Sequence, residues 1–200
     1  MDTTAAHVET NLRRVLRIVA LLNIGYFVVE FTVALAIGSV SLFADSIDFL
    51  EDASVNLLIL IALGWSAVRR ARVGMALAVL LLVPGLATLW TAWSKFNLPL
   101  PPEPVPLSLA GSGALAVNLI CAFLLARYRT HQGSLTRAAF LSARNDVLAN
   151  IGIVLAGLLT AYSYTVWPDL LVGLAIVLMN ANASREVWEA ARAEHRAARA

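Results

Sequence analysis

The stretch SLFADSIDFLEDASVNLLILIAL, residues 41–63, pulls in two directions. Its second half is an apolar run of the kind that crosses a bilayer. Its first half carries four carboxylates, Asp45, Asp48, Glu51 and Asp52, within eight residues. Read as a soluble helix, the apolar half has nothing to pack against. Read as a membrane span, the acids stand where hydrocarbon should exclude them. The rest of the chain decides for the membrane. Of 200 residues, 60% are hydrophobic and 14% charged, and the mean hydropathy is +0.76. Soluble domains average about 45–50% apolar and about 25% charged. A chain of this length leaves much of its surface uncovered, so lipid is the remaining solvent. Lipid offers no hydrogen bonds to the backbone, so the spans are predicted to be helices. The apolar runs are too long and unbroken for a β-barrel.

Six such runs cover about 16–37, 41–67, 73–95, 107–126, 138–161 and 165–184, each near the ~20 residues needed to cross. The predicted fold is all-α, a polytopic membrane protein of six transmembrane helices. Residues 1–185 form its membrane domain, and residues 186–200, rich in Ala, Arg and Glu, form a short cytoplasmic helical tail. Between the third and fourth runs, residues 97–106 hold five prolines, which predicts an extended loop. Asp2 and Glu9, with the length of the first run, predict an N-terminus that is not a cleaved signal. The lone Cys121 excludes an internal disulfide and reads as a small buried hydrophobe.

Positive charge sets the orientation. Arg13, Arg14 and Arg17 precede the first span, and Arg69, Arg70 and Arg72 follow the second. Arg127, Arg129 and Arg137 lie between the fourth and fifth, and Arg185, Arg192, Arg196 and Arg199 follow the sixth. The other three connections hold Lys95 alone. All clusters then fall on one side, predicted to be the cytoplasm, with both termini there. The expected location is the bacterial inner (plasma) membrane. Topology accounts for 13 of the 15 positive charges, so the basic balance does not point to nucleic acid.

The acids carry the function. Asp48 and Asp52 are i and i+4 and share one helix face. In the fifth run, Ser142 and Asp146 repeat that spacing, with Arg144 and Asn145 between them. Asp52 lies about 16 Å from the outer end of its span and Asp146 about 13 Å from the inner end of its own, at ~1.5 Å per residue. In a core ~30 Å thick, both reach the midplane. Intramembrane charge costs at least ~2.5 kcal/mol per group, so the acids must be paired, protonated or bound to a cation. Asp45 is either a further ligand or the cap of the second span. Glu51 is either a ligand or the ion-pair partner of Arg144. Glu30 is either an accessory acid or a hydrogen-bonded helix contact. Asn145 offers an amide oxygen. His7, His131 and His195 all lie outside the spans, so the site is rich in oxygen. Such donors suit manganese or magnesium, with iron and zinc further candidates. Asp52-x3-Asn56 recurs 94 residues on as Asp146-x3-Asn150, and Asn23 recurs as Asn118. Three spans plus three gives halves of inverted topology, as in many transporters.

The stretch from Ser41 through Asp52, together with Ser142-x3-Asp146, resembles the cation diffusion facilitator family over about residues 13–185. The resemblance implies a six-helix cation-efflux fold that exports a divalent metal in exchange for protons, often as a homodimer. Carried over, the metal positions are Asp48, Asp52, Ser142 and Asp146, with Asp45, Glu51 and Asn145 accessory. Serine stands where the family commonly has His or Asp, and the family's usual cytoplasmic C-terminal domain is not in this sequence. No resident cofactor is expected; the divalent cation is cargo. Two other functions fit the residues. One is a proton-coupled exporter of organic cations, with Trp90 and Trp93 stacking on an amine. The other is a membrane scaffold in which Arg144 locks the acids. An enzyme is not expected, since the sequence has no membrane nucleophile–histidine pair, no Gly-rich phosphate loop and no metalloprotease histidine motif.

Overall fold

The computed structural model describes residues 3–62, 67–127 and 134–197. Over these residues the chain is six helices and no strand: α1 Thr3–Ile37, α2 Val40–Ala62, α3 Ala67–Asn97, α4 Pro104–Ala126, α5 Ser134–Ser163 and α6 Trp167–Ala197. Arg129, His131 and Arg199 lie outside the described residues. Several helices overrun the apolar runs that specify them. Thr10–Ile37, Pro104–Ala126 and Ser142–Ser163 are long and apolar enough to cross a membrane, and Trp167–Asn182 is a shorter apolar stretch. The four acids of α2 dilute its apolar character. Beyond residue 185, α6 continues without a break as far as Ala197, and at the start of this stretch the exposed Arg185 and Glu189 pair at 2.8 Å.

The proline-rich connection is shorter than its composition predicts. Helix α3 continues through Asn97, and α4 begins at Pro104. Proline fits a helix's first turn because the N–H groups there have no helical partner anyway. The extended segment is therefore only residues 98–103.

Helix α2 lies at the centre of the bundle and touches all five other helices. The closest pairings are α4 with α5, α1 with α2, and α3 with α6. Two apolar clusters cap the bundle's ends. One joins Leu12, Leu16, Ile59, Leu125 and Ala143. The other joins Ala34, Leu42, Leu107, Ala149 and Ile153. Between these levels, the helices contribute a polar layer of buried Asn23, Glu30, Asp45, Asp48, Asp52, Asn118 and Asp146. The outer surface shows Leu21, Val28, Phe123, Leu155, Leu171 and Leu178, all exposed. Apolar outside and polar within is the reverse of a soluble protein and suits a bundle set in lipid.

The α1–α2 turn depends on Gly38, whose φ of 62° is open to glycine at little cost. Ser39 then caps α2, its Oγ accepting the Leu42 N–H at 3.1 Å. Asp169, in the first turn of α6, completes the cap. It accepts the Val40 N–H at 2.8 Å, the Ser41 N–H at 3.1 Å, and the hydroxyls of Ser39 and Ser41 at 2.5 and 2.6 Å. Gly173 lets α6 come this close, for a Cβ there would lie 2.8 Å from the Val40 carbonyl carbon. Asp45 is therefore not the cap of α2. It lies more than a turn further in, and its carboxylate has other neighbours.

Candidate cation site

Helices α2 and α5 run antiparallel and bring their acids to one level. Ser142 Oγ donates to Asp52 Oδ1 at 2.9 Å, and the Asp146 carboxyl lies within hydrogen-bonding reach of that of Asp52. Asp146 is also the strongest charged neighbour of Asp48. Asp48 Oδ1 accepts a hydrogen bond from the Asn180 amide of α6. Among the described residues, the donors that reach these three carboxylates are therefore uncharged. The Asp-x3-Asn repeat has the same local form in both helices. Asn56 Nδ2 donates to the Asp52 carbonyl at 2.7 Å, and Asn150 Nδ2 to the Asp146 carbonyl at 2.8 Å. Each asparagine thereby stiffens the turn that presents its acid. The Asn23–Asn118 match is also a pair of buried side chains on α1 and α4, and the Cys121 thiol faces Asn23 Oδ1 at 3.8 Å.

The protein belongs to the cation efflux family. A family model, the cation efflux transmembrane domain, matches residues 16–193. No curated protein matches the chain. The chain is thus an integral membrane protein of a family of metal-cation transporters.

In this efflux domain, the remaining candidates divide. Asp45 turns toward Glu30 of α1, within hydrogen-bonding reach. Glu51 is half-buried and adjoins Asp52. The ion pair considered for Glu51 does not form, because Arg144 is exposed and its guanidinium reaches Asn145 Oδ1 at 3.5 Å. Asn145 is likewise exposed and is not gathered with the acids. Positions 144 and 145 fall on the outward side of α5, while 142, 146 and 150 face α2, as helical periodicity requires. Among the described residues, no three His, Cys, Asp or Glu side chains form a ready metal-holding group. Asp52 and Asp146 face each other, and Asn180 engages the third acid.

Asn180 and Asp169 are the two residues that sequence reasoning passed over. The available signal was a single polar side chain inside a predicted span, which leaves its partner unnamed. A double-mutant cycle checks the first. Asn180→Leu and Asp48→Leu, each measured by thermal unfolding in detergent, should couple by about 0.5–3 kcal/mol. Additive losses would show that the Asn180 amide does not hold Asp48.

Proposed function

We propose that this protein exports a divalent metal cation in exchange for protons, by alternating access to Asp48, Asp52, Ser142 and Asp146. The observation that carries this reading is that buried Asp52 and Asp146 face each other from antiparallel helices with Asp48 beside them, and among the described residues Ser142 and Asn180 are the side chains that donate to these acids. A buried cluster of like charge is unstable unless protons or a cation neutralise it. A divalent ion answers several carboxylates at once, and protons answer them when it leaves. Asn180 offers the coupling. When a cation draws Asp48 Oδ1 toward Asp52 and Asp146, the hydrogen bond to α6 is released, so occupancy and helix position are linked. The donor set is oxygen throughout, which favours manganese or magnesium over zinc as cargo.

The reading extends to topology. Arg13, Arg14 and Arg17 sit beside the apolar cluster of Leu12, Leu16 and Leu125, and Arg127 follows it. This end is assigned to the cytoplasm of a bacterial plasma membrane, with both termini there. Residues 1–185 act as the transport domain, residues 186–200 as its tail, and a homodimer is the expected assembly. The alternative functions lose their supporting residues. Trp90 and Trp93 are exposed on α3, with Trp93 stacked on Phe96, and Arg144 does not lock the acids.

Proteoliposomes with a trapped pH dye test the proposal against a panel of Mn2+, Fe2+, Zn2+ and Mg2+. Uptake of a metal should move protons the opposite way. Absence of metal flux, or flux of amines that metals do not compete, would overturn it.

A further inference from the structure

Outside the Asp52–Asp146 pair lies a second group of oxygens. Glu30 of α1 and Asp45 of α2 are fully enclosed, at 0% exposure, whereas Asp48, Asp52 and Asp146 retain 5 to 8%. Glu30 and Asp45 face each other within hydrogen-bonding reach, and among the described residues neither carboxylate receives a hydrogen bond of normal geometry from another group. Asn150 of α5 stands beside Asp45. One Nδ2 hydrogen goes to the Asp146 carbonyl, the second is within reach of Asp45, and its Oδ1 is buried without a donor. Tyr26, a neighbour of Glu30 and Asp45, spends its hydroxyl proton on the Ala110 carbonyl at 2.6 Å. Three helices thus deliver five oxygens to one enclosed place, and the second Asn150 N–H is the one amide donor beside them among the described residues. An unanswered buried acceptor costs about 1–3 kcal/mol, and more when charged.

From this enclosed group we propose a second cation-binding post, formed by Glu30 and Asp45 with the Asn150 amide beside them, on the outward side of the Asp52–Asp146 site. Asp45 precedes Asp48 by three residues and Asp52 by seven on one helix, so the outer post lies about 4 to 10 Å further along α2 than the carboxylates of the inner site, at ~1.5 Å per residue. The post is built for a hard cation, since every available atom is oxygen. Asn150 joins the posts directly: its amide holds the Asp146 backbone and stands beside Asp45. Further out, Asp169 binds α2 to α6 and closes the way beyond. The outer post is then a holding point on the exit route, where a cation waits until the Asp169 contacts open. This inference rests on the transport reading, which it extends.

Calorimetric titration of the purified full chain with Mn2+ tests it. The unaltered protein should bind two equivalents, and Glu30→Gln or Asp45→Asn should each bind one. Asp146→Asn should lose the other equivalent. If a variant does not fold, electron paramagnetic resonance of the unaltered protein with two equivalents of Mn2+ replaces it. Two ions within about 10 Å of each other on the helix rise broaden each other's signal. A single equivalent, lost in Asp146→Asn and kept in Glu30→Gln, would overturn the outer post and leave the transport reading standing. No binding at all would overturn both.

Discussion

Asp52→Asn and Asp146→Asn will each stop metal transport while leaving the bundle folded. Asparagine keeps the shape of the side chain, and an Oδ1 at position 52 still accepts the Ser142 hydroxyl proton. What disappears is charge. Losing one member of a buried charged contact costs about 2–5 kcal/mol. At about 1.4 kcal/mol per decade, cation affinity falls between roughly thirtyfold and several thousandfold. Fewer acids in the cluster also relieve like-charge repulsion, so the unloaded variants should melt no lower than the parent. The measurement is initial Mn2+ entry into proteoliposomes, with elution volume as the control on folding. Transport that persists in both variants would remove the site.

Asp169→Ala will produce the largest loss of stability. Asp169 is fully buried and accepts four hydrogen bonds from the start of α2. The Ser39 and Ser41 hydroxyls can turn elsewhere. The Val40 and Ser41 amides are fixed by the helix and would be left buried without an acceptor. At about 1–3 kcal/mol for each unanswered group, the loss is about 2–6 kcal/mol. The charge also favours the positive end of α2. Asp169→Asn keeps one acceptor oxygen and should fall between the parent and the alanine variant. Thermal unfolding in detergent reads the series, and equal midpoints for all three would show that Asp169 does not bind α2 to α6.

Both predictions concern polar groups in lipid, where sequence is most informative about what a residue needs and least informative about where it finds it. The six helices follow from composition and period, since apolar runs of spanning length have one way to satisfy their backbone. Helical spacing likewise put Asp48 with Asp52 and Ser142 with Asp146 on shared faces. It did not reveal that Asn180 holds Asp48, because that contact joins residues 132 positions apart. Arg144 shows the same limit. Its depth along the chain made it a counter-charge for Glu51, but two positions of rotation on α5 carry it to the surface.

The sequence alone determined the membrane, the helices and the level at which acids from α2 and α5 meet, because each depends on hydropathy and on a fixed rise per residue. Packing alone decided the partners: which helix lies central, that Asp45 faces Glu30, that Ser39 and Asp169 cap α2, and that Arg144 faces out. Those outcomes depend on how helices rotate about their axes and which pairs adjoin, and no local pattern encodes either.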